Sequence, residues 1–349
     1  MSPTPSAASS RRESATPAWL AGLLGIAPPR EGDTVAVRGQ PFHMLGGILR
    51  QKRPGSIAQA QTSDAFGFKW HRRDTFESPE SLQRMRAWLI ERYGEVTRES
   101  WFAELGPAPL LLDAGCGGAM SALELFDAAL GRLRYLGVDI SDAVDVAAAR
   151  CIERGITAGF LQADLTALPL PPSSVDMIFS EGVLHHTDST EAALKSLALL
   201  LKPGGRFLFY VYRRKGPLRE FTDDHLREKL QAMRPEQAWE ALKPLTQLGI
   251  ALGELKAEID IPEPIDILGI PAGRIDLQRF FYWHVAKAFY RPEYSFDEMH
   301  HINFDWYAPR NAHRQSPEEV RAWCAAAGLV IERERVEEAG ITVIARRPA

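Results

Sequence analysis

The chain has 349 residues, 45% of them hydrophobic and 25% charged, which is an ordinary composition for a soluble globular protein. Its formal net charge of −4 provides no overall attraction to nucleic acid or to an anionic membrane surface. The dispersed Cys116, Cys151 and Cys324 argue against a disulfide framework or a cysteine zinc site and favour a reducing compartment. No apolar run approaches the ~20 residues of a membrane-spanning helix, so we predict a cytoplasmic protein without a membrane partner.

The N-terminal part of the chain is rich in Ser, Pro and Ala, and we predict a mobile tail over residues 1–40. Arg11-Arg12 precedes an apolar stretch and loosely resembles a twin-arginine export signal. The residues around the arginines match such a signal poorly and no convincing cleavage site follows. We therefore favour a disordered tail that leads into a short amphipathic helix.

Residues 41–105 are predicted to form an N-terminal lid or helical extension. Residues 62–71 place several aromatic side chains around Gly67, which is typical of a segment that docks either on the chain's own core or over a ligand. A helix is predicted to begin at Ser78-Pro79, because serine is a good helix cap and proline suits the first turn.

The rest of the chain is arranged around a glycine turn. An apolar run, Leu110 to Leu112, stops at Asp113 and is followed by glycines at 115, 117 and 118, and then by apolar residues at helical spacing. This order predicts a strand, a tight turn and a helix. Dinucleotide enzymes and methyl-donor enzymes both use such a turn. The dinucleotide fingerprint requires a third glycine where Met120 stands.

Strands and helices alternate regularly beyond the turn, which predicts a parallel sheet with right-handed crossovers. The predicted strands cover residues 134–141, 160–165, 175–180 and 205–212. Two of them end in an acid, Asp139 and Asp164. Ligands bind beyond the carboxyl ends of such strands, where Asp139 is suited to accept from ribose hydroxyls and Asp164 from an adenine amino group.

Taken together, the stretch from Asp113 to Ala119, the two strand-end acids, the segment around Glu181 and the Lys202-Pro-Gly-Gly turn resemble the class I S-adenosylmethionine-dependent methyltransferases. The resemblance is to the small-molecule, methyltransferase type 11/25-like members, and it is dense over residues ~108–212. Ala119 stands where that family usually has glycine.

The resemblance implies a Rossmann-like α/β fold, with a seven-stranded, mostly parallel sheet and helices on both faces. It also implies S-adenosyl-L-methionine as the cofactor and S-adenosyl-L-homocysteine as the product. The cofactor-binding residues that it implies are Trp70, Asp113, Ala114, Gly115, Cys116, Gly117, Asp139, Ile140, Ala163, Asp164, Leu165, Glu181 and Gly182.

The domain prediction assigns residues 106–212 to this cofactor-binding core. Residues 213–305 follow as a large insertion between the fifth and sixth strands, which we expect to build the acceptor pocket or an interface. Residues 306–349 are expected to complete the sheet with a capped helix and two antiparallel strands.

Methyl transfer requires alignment of acceptor, methyl and sulfur, and usually a base that removes a proton from the acceptor. The candidates for the base are Glu181, His185 and His186, with cofactor orientation or packing as the alternative role for either histidine. The acceptor-binding candidates are Arg214, Tyr282, His284, Trp306 and Tyr307, with core packing or a solvated surface as the alternative for each. The histidines and acids of the insertion match no metal-ligand spacing, so no metal is predicted.

We predict a methyltransferase that acts on a small-molecule metabolite, in specialised-metabolite biosynthesis. One alternative is RNA or protein methylation, and another is a non-catalytic donor-binding partner subunit. We do not expect nucleic acid as a partner, because the fourth strand lacks the Asn/Asp-Pro-Pro-Tyr/Phe segment of base-amine methyltransferases. The oligomeric state stays open, with a homodimer through the insertion as one arrangement to consider.

Overall fold

The computed structural model describes residues 16–51 and 55–349. The strands in this part of the chain are β1 (Thr34–Val37), β2 (Gln40–Leu45), β3 (Ile48–Gln51), β4 (Leu110–Ala114), β5 (Arg134–Asp139), β6 (Ala158–Gln162), β7 (Val175–Glu181), β8 (Leu201–Tyr212), β9 (Glu258–Ile261), β10 (Gly273–Asp276), β11 (Val330–Val336) and β12 (Gly340–Arg346).

The helices are α1 (Ala18–Leu24), α2 (Ile57–His71), α3 (Pro79–Tyr93), α4 (Ser100–Ala103), α5 (Met120–Leu125), α6 (Ala143–Glu153), α7 (Thr190–Ala198), α8 (Pro217–Leu230), α9 (Pro235–Glu254), α10 (Leu277–His284), α11 (Phe296–Tyr307) and α12 (Pro317–Ala326). Serine side chains cap the predicted helix starts at α3 and α12: Ser78 accepts from Ser81 N–H, and Ser316 accepts from Glu319 N–H.

One large sheet organises the molecule, with the strand order β1-β2-β3-β6-β5-β4-β7-β8-β12-β11. Neighbours from β3 to β8 are parallel, and β12 and β11 add an antiparallel pair at one edge. Every residue of β4 is buried, as expected for a strand whose two faces are both covered. The predicted Rossmann-like α/β fold with its closing antiparallel pair is confirmed.

The predicted strand count of seven is too low, because β1, β2 and β3 extend the sheet to ten strands. These three strands form an antiparallel meander with two-residue loops, Arg38-Gly39 and Gly46-Gly47. All four loop residues have positive φ, between 49° and 84°, which is the backbone of the turns that suit hairpins. The two glycine-containing loops were a sequence signal for this meander.

The predicted mobile tail needs correction over its second half. The side chains of Leu20 and Leu24 on α1 and of Val37 on β1 are buried in the main apolar cluster. Residues 16–40 are therefore folded onto the sheet, because burial of these apolar side chains offsets the entropy of ordering the segment. Residues 1–15, with the Arg11-Arg12 pair, lie outside the described residues.

The predicted extension over residues 41–105 begins with strands rather than helices. Its helical part starts at α2, where the Ser56 hydroxyl caps the helix by accepting from Gln59 N–H. The aromatic segment around Gly67 is thus the C-terminal part of a fifteen-residue helix. α2 packs against both α6 and α11, so it connects the core to the insertion.

The insertion consists of α8, α9, the β9–β10 hairpin, α10 and α11. An apolar cluster that contains Tyr212, Trp239 and Phe304 joins it to the end of β8. α11 runs to Tyr307 and so crosses the predicted boundary between residues 305 and 306. No helix in the described ranges is long and apolar enough to cross a membrane.

Candidate active site

The glycine turn lies at the carboxyl end of β4, near the middle of the sheet. Gly115 has φ +83°, and a Cβ there would lie 2.1 Å from Val183 Cγ1. Gly117 has φ +48°, and a Cβ there would lie 2.5 Å from Trp70 Nε1. Both positions require glycine for backbone conformation and for space. The side chains of Val183 and Trp70 occupy this space.

Asp113 lies behind the turn, where its carboxylate accepts a hydrogen bond of 2.5 Å from the Tyr135 hydroxyl. Burial raises the pKa of Asp113 to about 7, although the Tyr135 hydrogen bond opposes this shift. Asp113 does not line the cavity described below. Asp113 therefore lies inside the sheet, beneath the glycine turn.

Asp139 ends β5 and holds the turn from the open side. Its Oδ2 accepts from the Gly117 N–H at 2.8 Å, and its Oδ1 accepts from the Ser141 N–H and hydroxyl at 2.8 and 2.7 Å. Each carboxylate oxygen has two lone pairs, so Asp139 retains acceptor capacity toward the cavity that it lines.

Asp164 follows β6 and also faces the cavity. Its Oδ1 accepts from the Thr166 N–H at 2.8 Å and from the Thr166 hydroxyl at 2.7 Å. None of the hydrogen bonds formed among the described residues uses Asp164 Oδ2. An oxygen free to accept is what an amino group of a ligand requires.

A cavity of about 480 Å³ opens beyond these strand ends. Of the predicted cofactor-binding residues, the cavity is lined by Trp70, Gly115, Asp139, Ile140, Asp164, Leu165, Glu181 and Gly182. The others lie outside the lining: Asp113, Ala114, Cys116, Gly117 and Ala163. They belong to the buried strand ends and to the part of the turn that Trp70 covers.

α2 forms the roof of the cavity, to which Gln59, Thr62, Phe66, Lys69 and Trp70 contribute. An ion pair between Lys69 and Asp305 ties this roof to α11. The Lys69 ammonium also lies 4.3 Å from the Trp70 ring centroid, a cation–π distance. The roof is thus fixed to the insertion on one side and to the glycine turn on the other.

The insertion and α3 supply the other wall, but through residues that differ from most of those predicted. Tyr282 lines the cavity, whereas Arg214, His284, Trp306 and Tyr307 do not. Trp306 Nε1 and the Tyr307 hydroxyl donate to Asp223 at 2.9 and 2.8 Å, and both side chains are buried. Their polar atoms face this carboxylate, so the two residues form core behind the wall.

Arg214 and His284 lie outside the cavity for other reasons. The side chain of Arg214 is 56% exposed, and it forms an ion pair of 3.3 Å with Glu319. It is therefore a surface residue. His284 is the last residue of α10, where its ring lies 5.4 Å from the ring of Phe280.

His186 is the histidine among the base candidates whose side chain lines the cavity. Its Nδ1–H donates to the Asn311 carbonyl at 2.6 Å, which makes Nε2 the nitrogen with the lone pair. Nε2 is buried and has no hydrogen-bond partner among the described residues. Burial lowers the pKa of His186 to about 4, so the ring is neutral at pH 7.

His185 and Glu181 are already engaged by the protein. The His185 ring stacks on Tyr212 at 3.6 Å, its Nδ1 accepts from the Tyr212 N–H at 3.3 Å, and it does not line the cavity. Glu181 lines the cavity, but its carboxylate accepts from Arg92 at 2.8 Å and from the Tyr93 hydroxyl at 2.5 Å. These contacts suit an anchoring role.

Several cavity residues carried no recognisable signal in the sequence. The polar ones are Ser81, Arg84, Arg92, Tyr210, Tyr212, Lys287, Tyr294, Glu298, His301 and Asp305. Six of them lie on two helices, Ser81, Arg84 and Arg92 on α3 and Glu298, His301 and Asp305 on α11, and the sequence did not indicate which helix face meets the cavity. Only the position of the two helices over the sheet decides this.

The histidines of the insertion have other partners than a metal ion. The described residues contain no group of three His, Cys, Asp or Glu side chains arranged to hold a metal. His300 is hydrogen-bonded to the Thr246 hydroxyl at 2.8 Å and to the Trp239 carbonyl at 2.9 Å, and His301 is hydrogen-bonded to the Thr75 hydroxyl at 3.0 Å.

Comparison with known proteins identifies the core of the chain. Residues 112–209, which run from β4 to β8, match the family model described as a methyltransferase domain. The chain carries a class I S-adenosylmethionine-dependent methyltransferase domain. The predicted family is therefore confirmed, and the matched part coincides with the strands that carry the glycine turn and both strand-end acids.

The names of the relatives of this methyltransferase domain specify different methyl acceptors. The chain is 30% identical over 154 residues to the malonyl-[acyl-carrier protein] O-methyltransferase of Serratia marcescens, covering 44% of this chain and 55% of that one. It is 29% identical over 171 residues to a mouse tRNA (carboxymethyluridine(34)-5-O)-methyltransferase, covering 44% of this chain and 24% of that one.

A solved structure of low identity covers more of the chain. It is the Burkholderia thailandensis 1,6-didemethyltoxoflavin-N1-methyltransferase, at 14% identity and a TM-score of 0.44, covering 89% of this chain and 96% of that one. By contrast, the chain spans only about a quarter of the mouse relative's length and just over half of the Serratia relative's length.

Proposed function

We propose that this chain transfers a methyl group from S-adenosyl-L-methionine to a small-molecule metabolite. The observation that carries the proposal is the cavity of about 480 Å³ between the strand-end acids and the insertion, roofed by α2. Its size falls in the range of roughly 300–1,000 Å³ that small-ligand pockets occupy. Residues outside the matched domain build most of its acceptor side.

The donor end of the cavity fits an adenosine-containing ligand. Asp139 offers acceptor capacity suited to ribose hydroxyls, and Asp164 Oδ2 is free for an amino group. Ile140 and Leu165 lie beside these acids and supply apolar surface for a base. S-adenosyl-L-methionine, when bound, would supply an activated methyl on a sulfonium that needs no further activation by the protein.

His186 is the residue that we propose as the general base. Its tautomer is set by the Asn311 carbonyl, so the unpartnered Nε2 can take a proton from an acceptor hydroxyl or amine. The neutral ring required for this step is favoured by burial, which lowers the pKa to about 4.

The shape of the cavity favours a small acceptor over the alternatives of RNA or protein methylation. RNA or protein methylation requires a surface that receives a long chain, whereas this cavity is covered by α2 and by the insertion. The names of the relatives do not select an acceptor, since one names an acyl carrier protein and another a tRNA. A cytoplasmic location and a homodimer through the insertion stay predictions.

Donor binding is tested by calorimetry with S-adenosyl-L-homocysteine on the wild type, Asp139→Ala and the control Asp127→Ala. Asp127 is a surface acid with a side chain 63% exposed. We expect Asp139→Ala to raise Kd at least about tenfold, since hydrogen bonds to a charged group contribute roughly 1.5–3 kcal/mol. The Asp127 variant should bind like the wild type. Equal affinity of all three proteins would overturn the donor assignment.

The acceptor class is tested with labelled methyl donor and a cell extract separated into small-molecule, RNA and protein fractions. Label in the small-molecule fraction is the expected result. Label confined to RNA or protein would overturn the proposal. Tight donor binding without label in any fraction would instead identify a non-catalytic donor-binding subunit.

A further inference from the structure

Most of the positive charges that line the cavity are neutralised inside it. Three cationic side chains each form an ion pair with a carboxylate of the same lining: Lys69 with Asp305, Arg84 with Glu298 at 2.6 Å, and Arg92 with Glu181 at 2.8 Å. These pairs hold the walls together and leave little net charge to attract an acceptor.

Lys287 is the exception. It lies between α10 and α11, lines the cavity and is 9% exposed. Within the described ranges its ammonium forms no hydrogen bond and has no carboxylate oxygen within 4.0 Å. The ammonium lies over the Trp306 ring, 4.7 Å from the centroid, on the side of the insertion core. The cavity therefore holds a positive charge that lacks an anionic partner.

A buried network fixes the backbone that carries this lysine. The Lys287 N–H donates to the Tyr307 hydroxyl at 2.6 Å, and that hydroxyl donates to Asp223 at 2.8 Å. Arg219 donates to both oxygens of Asp223 at 2.9 Å. Trp306 and Tyr307, which we predicted to bind the acceptor, instead contact Lys287 from behind the cavity wall.

A mostly buried lysine without an anionic partner is unfavourable, because burial removes part of the hydration of its ammonium and the protein supplies no counter-ion in exchange. Burial accordingly lowers the pKa of Lys287 to about 7, although the charge of Asp305 opposes the shift. Groups in this condition are concentrated at functional sites. A ligand anion would supply the missing partner.

The cavity that Lys287 lines has many aromatic side chains in its walls. Six rings from α3, β8 and the insertion contribute to the lining: Trp88, Tyr210, Tyr212, Tyr282, Phe289 and Tyr294. Rings of this kind pack well against a flat unsaturated ligand, in stacked or edge-on contact. Aromatic walls with a single unpaired cation favour an aromatic acceptor that carries an acid.

We propose that Lys287 is the binding residue for a carboxylate on an aromatic acceptor. The proposal rests on the proposed function, since it names the acceptor class of the same site. Neither the matched methyltransferase domain nor its motifs include Lys287, which belongs to the insertion.

The test compares 4-hydroxycinnamate with its uncharged amide, by calorimetry on protein saturated with S-adenosyl-L-homocysteine. We expect the acid to bind about tenfold to hundredfold more tightly, the range that a charge-assisted hydrogen bond provides. Lys287→Met should abolish the preference for the acid, and Lys287→Arg should retain most of it.

Lys215→Met is the matched control. Lys215 is a half-buried lysine whose pKa burial also lowers to about 7, but its ammonium already donates to the carbonyls of Glu338 and Ala339. This variant should keep the wild-type preference for the acid, which separates the role of Lys287 from the loss of any buried lysine in the insertion.

Proton uptake gives a second measurement that does not depend on a variant. At pH 8 an ammonium with a pKa of about 7 is mostly neutral, so binding of the acid should take up close to one proton. Calorimetry in buffers of different ionisation enthalpy measures this number. The amide should take up none.

Three results would overturn the inference while leaving donor binding intact: equal affinity for acid and amide, no binding of either compound, or a preference that survives in Lys287→Met. Failure of the wild type to bind S-adenosyl-L-homocysteine would overturn the proposed function, and the inference with it.

Discussion

The buried ion pair between Arg92 and Glu181 provides the most demanding test of how this site is held together. Arg92 lies on α3, Glu181 ends β7, and their side chains are 5% and 6% exposed. The guanidinium also lies between the rings of Trp88 and Tyr210, 3.7 Å from each centroid. We predict that Arg92→Met is strongly destabilising.

The magnitude follows from what the substitution leaves behind. Removal of one partner of a buried pair leaves an uncompensated charge, which typically costs about 3–5 kcal/mol. Methionine keeps much of the apolar contact with the two rings, so most of the loss should be electrostatic. The double variant Arg92→Met/Glu181→Gln removes both charges and should recover about half or more of the loss.

The loss should also depend on pH. Burial raises the pKa of Glu181 in the folded protein, and Arg92 opposes this shift, so the variant raises the pKa further. A carboxyl with a raised folded pKa takes up its proton more readily in the folded state, and stability then increases as the pH falls. The deficit of Arg92→Met should therefore shrink between pH 7 and pH 5.

Urea unfolding followed by circular dichroism measures these effects, since fluorescence would also respond to the changed surroundings of Trp88. Arg98→Met is the matched control, because Arg98 is 80% exposed and its pair with Glu95 is 3.9 Å long. An exposed pair contributes about 0–1 kcal/mol. The reasoning is refuted if Arg92→Met costs no more than Arg98→Met, or if the double variant shows the sum of both single losses.

Other predictions concern the turn and the proposed base. Gly115→Ala should lower the free energy of unfolding in urea by about 1–3 kcal/mol, because it forces an L residue to φ +83° and places its Cβ against Val183. The control Gly22→Ala lies in α1 with open space around it and should raise the free energy of unfolding by about 0.4–1 kcal/mol. His186→Gln should lower kcat for methyl transfer by about 10²–10⁴ with an unchanged Kd for S-adenosyl-L-homocysteine, and equal turnover would exclude it as the base. Because the folded pKa of His186 is lowered from 6.5 to about 4, the unfolded chain binds the proton first, and stability should fall by on the order of 3 kcal/mol as the pH drops through that window. Urea midpoints of His186→Gln should show a shallower fall, and an identical slope would contradict the lowered pKa.

The covering of the glycine turn has a structural consequence. Trp70 occupies the space above Gly117, and the Lys69–Asp305 pair holds the same helix to α11. The roof of the cavity is therefore linked through α2 to the wall that α11 contributes.

Local features of the chain were readable without a structure. A strand buried on both faces, a glycine turn and a serine cap depend on a few neighbouring residues, because turn geometry and capping are satisfied within one or two turns of backbone. The order of Asp113, Asp139 and Asp164 along alternating strands and helices placed the strand-end acids at one edge of the sheet. The donor end of the site was therefore predictable from the sequence.

The acceptor end was decided by tertiary structure. Trp306 and Tyr307 were predicted to bind the acceptor, yet their polar atoms face Asp223, while Lys287 lines the cavity. Which side of α11 meets the cavity depends on its packing against α2, α8 and α9, and no local pattern encodes that choice. The sequence by itself determined the cofactor turn and the order of the core strands; the packing of distant helices decided which side chains an acceptor can touch.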